Sequence, residues 1–174
     1  VYLFATATVG PGGHAPDRAG ELAELRRRFD RWHAPIPALL DALDPDAVLR
    51  HDVHALRHVP APLHRGTAVL LGDAAHAMEP NLGQGACLAL EDAVVLTHLL
   101  ADDVPVEQAL ARYSAARRPR AVTLSRLSAR LGRVTQGGGR VRAAVRDAAV
   151  RLTPAPVVLR GSDRAAGWRP PPPS

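Results

Sequence analysis

Residues 67–100, TAVLLGDAAHAMEPNLGQGACLALEDAVVLTHLL, limit the possible folds of this chain more than any other segment. A short apolar run, 67–71, passes through Gly72 into a loop punctuated by Gly83 and Gly85, and a long apolar segment follows at once. An apolar run without alternation predicts a buried central strand. The segment after the glycines predicts a buried helix, apolar nearly all round, with a narrow polar line at Gln84, Glu91 and His98 and with Asp92 beside it. Strand, glycine loop and helix start in succession aim unpaired backbone N–H groups, from Gly85, Ala86 and Cys87, at one spot that suits an anionic or electron-rich ligand.

The loop residues carry the candidate chemistry. Asp73 stands at the carboxyl end of the expected strand, where open α/β sheets present ligand-binding groups, and its carboxylate can accept bonds from ligand hydroxyls; it also suits an N-cap or a turn. Pro80 offers a flat apolar surface without a donor. Gly83 and Gly85 remove Cβ atoms where a planar ligand can approach the backbone, or else close a tight turn. His76 is a candidate general base, although a histidine so placed more often bonds the backbone of its own loop. Glu91 and Asp92 are adjacent and so diverge on a helix, which argues against a paired-carboxylate site. Cys87, among apolar neighbours, reads as a small packed residue rather than a nucleophile.

Upstream, residues 1–8 alternate like a strand covered on at least one face, in mid-flow at Val1, as in a piece of something longer. Gly10, Gly12 and Ala15 lack the following apolar helix of a dinucleotide fingerprint and read as a loop. Asp17 is expected to cap a helix over 18–32 with Leu22, Leu25, Phe29 and Trp32 on one face, and a second short helix over 38–43 ends at Asp44-Pro45. His51, His54, His58 and His64 invite a metal reading. Four-residue steps along a strand span about 13 Å, however, and Pro60 and Pro62 leave little room for a helix, so surface histidines flanking a sheet are expected and no metal.

Downstream, Asp103 and Pro105 start a helix that Pro119 must kink or break. An apolar stripe of Leu124, Leu127, Leu131 and Val134 follows beside a basic one of Arg126, Arg130 and Arg133, up to the glycines at 137–139. A last helix is expected over 140–152, then a proline-rich, disordered tail over 153–174.

No run reaches the roughly 18–20 apolar residues of a membrane span, and no targeting peptide is visible. A lone cysteine, Cys87, excludes an intramolecular disulfide and a cysteine zinc cage and fits a reducing, cytoplasmic compartment. All 22 basic residues are Arg, a bias of the whole chain. Residues 112–174 hold 14 of them against 2 acids, which permits a polyanion partner. Two Trp, two Tyr and two Phe offer little for base stacking, and no reading motif accompanies them, so nucleic acid is not expected.

The 72–93 segment, GDAAHAMEPNLGQGACLALEDA, resembles the second FAD-binding motif of the class A flavin-dependent monooxygenases, the aromatic-ring hydroxylase and epoxidase group. Its M-x-P-N-x-G-Q-G-x-C form is most similar to the zeaxanthin-epoxidase and salicylate-hydroxylase-like branches, and YSAARRPR at 113–120 resembles the Arg-Pro segment that often follows. The resemblance implies FAD, reduced by NAD(P)H, which adds O2 as a C4a-hydroperoxide and passes one oxygen atom to a small organic substrate. It implies Asp73 on the ribityl chain, Pro80 beside the isoalloxazine ring, and the N–H groups of Ala86 and Cys87 on the flavin N1–C2=O edge.

The family's N-terminal G-x-G-x-x-G strand and central Asp-Gly motif are absent from this sequence. The expected fold is therefore α/β, the C-terminal portion of a flavoprotein monooxygenase whose N-terminal FAD-binding half is missing. Residues 1–66 are expected to give substrate-domain strands and connecting helices, 67–152 the FAD motif and a helix-rich C-terminal region, and 153–174 the tail. The alternatives are a truncated, inactive relative and an Arg-rich nucleic-acid-binding module.

Overall fold

The computed structural model describes residues 1–13, 15–136, 138–154, 156 and 166–171. The chain divides into two compact units, Val1–Asp52 and Val53–Ser174.

In the first unit Asp17 caps α1 (Arg18–Phe29), its Oδ1 accepting from Gly20 N–H at 2.7 Å. One face of α1 buries Leu22, while Glu24 pairs with Arg27 and Arg28 on the other. The helix stops three residues before the expected Trp32, which is exposed and packs edge-on to Phe29 at 5.0 Å. A short α2 (Ile36–Asp41) buries Leu40, and Asp44 caps a 3-10 turn, Pro45–Ala47. Residues 1–8 form no strand: Tyr2 and Phe4 are exposed and no described residue pairs with them in a ladder. Alternation supplies a face, but a strand exists only beside another strand.

The second unit is built on two helices, α4 (Gly85–Leu100) and α5 (Val106–Thr135), which pack along each other. Their core holds Leu63, Ala75, Leu88, Val95, Tyr113, Ala121 and Leu124. A two-stranded antiparallel hairpin, β1 (His64–Arg65) and β2 (Ala68–Val69), pairs His64 with Val69 and Arg65 with Ala68. α5 ties this hairpin down at two points: Ser114 Oγ accepts from Leu63 N–H at 2.9 Å, and the Tyr113 hydroxyl donates to Leu70 O at 3.2 Å. Burial holds the Tyr113 phenol above its ordinary pKa. A single-turn α3 (Asp73–His76) follows the hairpin, and α6 (Arg140–Leu152) follows α5 at the bounds expected from sequence. Among the described residues no helix is long and apolar enough to cross a membrane.

Several expectations are corrected here. Residues 67–71 are not a buried central strand: only Ala68 and Val69 pair, and Leu70 and Leu71 are exposed, because among the described residues the run has only a hairpin partner on one side. α4 is not buried all round, since Leu90 and Val94 face out while Leu88 and Val95 face in. Pro119 does not break α5, which runs unbroken through it. A proline inside a helix costs about 3 kcal/mol. Here side chains on both sides of it bind the rest of the unit, Arg117 and Arg120 to Glu91 and Arg118 to Pro60 O. The stripe that α5 buries is Ala121, Leu124, Ser128 and Gly132, whereas Leu127, Leu131 and Val134 are exposed. Much of the expected disordered tail, 155, 157–165 and 172–174, lies outside the described residues, as does Gly137. Trp168, which is described, packs against the core and over Arg117 at 5.7 Å.

Candidate functional site

The glycine loop is a chain of short turns leading into α4. Gly72, at φ 56°, swings the backbone from the hairpin into α3; a Cβ there would lie 3.3 Å from Ala89 Cβ on the second turn of α4. Asp73 is the first residue of α3 and not its cap, and its exposed carboxylate bonds no described residue. Pro80 opens a 3-10 turn, Pro80–Leu82, that Gly83 closes at φ 62°, with Gly83 N–H donating to Pro80 O at 3.0 Å. That left-handed conformation excludes most side chains, so Gly83 is dictated by the turn.

The N-terminus of α4 is left open. Its first intrahelical bond runs from Leu88 N–H to Gln84 O at 2.9 Å, and Gln84 provides no side-chain cap. The N–H groups of Gly85, Ala86 and Cys87 therefore have no acceptor within the helix. Space is open where a Cβ of Gly83 or Gly85 would stand, and Ala86 and Cys87 are exposed. Cys87 is thus not the packed residue expected. Three N–H groups carrying the positive end of the helix dipole, about half an elementary charge, face solvent beside a glycine-lined approach.

Behind this loop lies a buried charge cluster that the sequence did not reveal. Asp92 Oδ2 accepts from Gly72 N–H at 3.1 Å and from His76 Nε2 at 2.6 Å, while Oδ1 accepts from Arg117 Nε at 2.7 Å. Burial acts to raise the Asp92 pKa, but the bonds from His76, Arg117 and Gly72 outweigh it and hold the carboxyl below its ordinary value. Arg117 Nη2 also donates to Glu91 at 2.8 Å, and Arg120 grips the same carboxylate through Nε and Nη2, both at 2.6 Å. His76 is consequently neither a general base open to a ligand nor bonded through its ring to its own loop; it is buried and donates to α4. The cluster fixes Gly72 and α3 against α4 and so fixes where Asp73 projects.

The residues expected from sequence thus fall in one continuous region, Asp73 at one end, the Pro80–Leu82 turn and Gly83 in the middle, Gly85, Ala86 and Cys87 at the other. The histidines do not gather: His54 and His58 are exposed and His64 lies on β1. Among the described residues no group of histidine, cysteine and carboxylate side chains could hold a metal. Asp92, Glu91 and Arg117 went unassigned; the polar line on an apolar helix and the Arg run at 117–120 were their only traces.

Comparison with known proteins bears on what this region binds. Residues 34–128 match a family model described as FAD binding domain. The chain is 44% identical over 152 residues to the aurachin C monooxygenase/isomerase of Stigmatella aurantiaca, covering 87% of this chain and 39% of that protein. It is 41% identical over 107 residues to a FAD-dependent urate hydroxylase of Klebsiella oxytoca, covering 62% and 28%. Among solved structures it resembles Klebsiella pneumoniae HpxO, crystallised with FAD and uric acid, at a TM-score of 0.80 and 33% identity over 87% of this chain and 39% of that one. The chain thus spans less than two fifths of the length of the relatives it matches. It belongs to the FAD binding domain family and has the fold of the corresponding portion of a class A flavin monooxygenase.

Proposed function

We propose that this chain supplies the flavin-ring side of a FAD-dependent monooxygenase that uses NAD(P)H and O2 to hydroxylate or epoxidise a small aromatic or unsaturated substrate. The observation that carries the reading is the uncapped start of α4, with three N–H groups open beside glycine-lined space. Those donors fit FAD, since the N1–C2=O edge of the ring gains negative charge on reduction and a helix N-terminus stabilises it there. Once bound and reduced by NAD(P)H, FAD supplies the oxygen-activating chemistry.

The chain's own residues bind and orient. Asp73 accepts from the ribityl hydroxyls, Pro80 stands beside the isoalloxazine ring, Gly83 and Gly85 let the backbone approach its plane, and Ala86 and Cys87 donate to its edge. The buried cluster keeps water from the back of the loop and holds it still, which is how a protein tunes a cofactor it does not itself transform. The exposed apolar side of α4, Leu90 and Val94 with Ala86 and Cys87, supports cover by the N-terminal FAD-binding half of the family fold. A ring substrate is supported by the uric acid bound in HpxO.

The full-length protein is expected to be yellow, to release FAD on denaturation, and to consume NAD(P)H and O2 faster when a ring substrate such as urate is supplied. A colourless protein that added FAD does not restore overturns the reading.

A further inference from the structure

The Pro80–Leu82 turn is fastened to α5 in a way that the flavin reading does not require and the sequence did not suggest. Ser128, fully buried in the seventh turn of α5, bonds the residues on both sides of Pro80: its hydroxyl donates to Glu79 O at 2.6 Å and its carbonyl accepts from Asn81 Nδ2 at 3.1 Å. Asn81 Nδ2 also donates to Glu79 Oε2 at 2.7 Å, closing the turn on itself. One helical turn further on, Gly132 leaves the space these two side chains occupy: a Cβ there would overlap the Glu79 carboxylate and the Asn81 amide and would lie 3.4 Å from Asn81 Cγ. Pro80 itself is exposed. Ser128 and Gly132 thus form a notch that clasps the turn from behind and leaves the proline ring facing out.

We propose that Ser128 and Gly132 are positioning residues for the flavin, setting the height and tilt at which Pro80 meets the isoalloxazine ring. The inference rests on the flavin reading above. The notch is specific in its parts. Two bonds flank one residue, the Ser128 hydroxyl to Glu79 O before it and the Asn81 side chain to Ser128 O after it, so a shift of Pro80 strains the clasp. Helical placement of both residues is the kind of support that holds a loop group to within fractions of an ångström. No apolar residue could replace Ser128 and keep the Glu79 O bond, and a Cβ at Gly132 would push the Glu79 carboxylate and the Asn81 amide out of their present positions.

The experiment uses the full-length protein with FAD as the probe and two variants, Gly132→Ala, which fills the notch, and Ser128→Ala, which removes one bond and keeps a strong helix former. Hydrogen exchange of the 79–84 segment is measured without FAD; FAD affinity, the visible flavin spectrum and the flavin midpoint potential are measured with it. Both variants are expected to raise exchange at 79–84 at least tenfold while exchange in the middle of α4 stays within twofold. They are also expected to weaken FAD at least fivefold and to shift its visible band or potential, with Ser128→Thr, which retains the hydroxyl, nearer to wild type than Ser128→Ala. Unchanged exchange in both variants overturns the clasp. Raised exchange with wild-type affinity, spectrum and potential overturns the positioning role and leaves the flavin reading standing. A wild-type protein that binds no FAD overturns the flavin reading and this role with it, while the exchange data still report whether the notch holds the turn.

Discussion

Arg117→Ala removes a side chain that joins both carboxylates of α4, Glu91 and Asp92, to α5. The Arg117 guanidinium is 2% exposed, lies 2.7 Å from Asp92 and 2.8 Å from Glu91, and donates to Leu88 O at 3.4 Å. Deleting one partner of a buried ion pair costs about 3–5 kcal/mol, because the other charge is left in a poor solvent. Two features place this case low in that range. Glu91 keeps both bonds from Arg120, and Asp92 keeps those from Gly72 N–H and His76, so neither carboxylate is stripped of donors. Loss of the contact with the Trp168 ring adds about 0.5–1 kcal/mol. The expected cost is about 3.5–4 kcal/mol, and since 1 kcal/mol shifts Tm by about 2–4 °C in a domain of this size, Tm should fall by about 7–16 °C. Urea unfolding of the full-length protein should show the midpoint drop with an unchanged slope. Arg112→Ala is the control: its pair with Asp102, 3.4 Å and solvent-exposed, should cost no more than about 1 kcal/mol. If the two variants lose the same small amount, the cluster does not hold α4 to α5 and the reasoning fails.

Other outcomes follow from the same geometry. Because the Asp92 carboxyl is held below its ordinary value in the fold, its contribution is fully present above that value and is lost as pH falls through the depressed one. Asp92→Asn should therefore lower Tm at pH 7 and flatten the decline of Tm as pH falls below the ordinary carboxylate range; a decline as steep as wild type would count against it. Asp73→Ala, at an exposed and unpaired carboxylate, should leave Tm within about 2 °C yet weaken FAD at least tenfold in a fluorescence titration, and unchanged affinity would remove Asp73 from the site. Gly83→Val forces a β-branched residue to φ 62°, at about 1–3 kcal/mol, and should loosen the Pro80 turn, read as faster exchange at Gly83's neighbours; a variant as stable as wild type would show the turn to be pliant. Leu88→Ala empties a fully buried site between α4 and α5 and should cost about 2–5 kcal/mol by urea unfolding, with less than 1 kcal/mol placing the core elsewhere.

What could be read from sequence divides by the distance over which its signal acts. Asp17 capping α1, a tight turn at Gly83 and the bounds of α6 depend on groups a few residues apart, and the pattern carried them. Glu91 and Asp92 show the opposite case. Adjacent carboxylates are expected to diverge on a helix, yet Nε and Nη2 of the Arg117 guanidinium, 25 and 26 residues away, hold Asp92 and Glu91 together. Nothing in the periodicity of either helix encodes that match. Ser128 and Gly132 were hidden for a related reason: a hydrophobic stripe search favours Leu127 and Leu131, while the inward face of α5 runs on from Ala121 and Leu124 to a serine and a glycine that meet Glu79 and Asn81.

α4 adds a different lesson. Its composition is apolar on nearly every side, and the expectation of complete burial followed from chemistry alone. Leu88 is fully buried by this chain and Leu90, two residues on, is 69% exposed. Both are leucines on one helix, so the difference cannot come from the residue; it measures how much of the helix surface this chain covers. Scattered exposed leucines need no account, but Leu90 and Val94 lie one turn apart and continue the open edge that begins at Ala86 and Cys87. The same edge that presents the free N–H groups is thus the one whose apolar flank lacks cover. A ligand bound there is enclosed only if a further surface closes over Leu90 and Val94, which the described residues leave exposed.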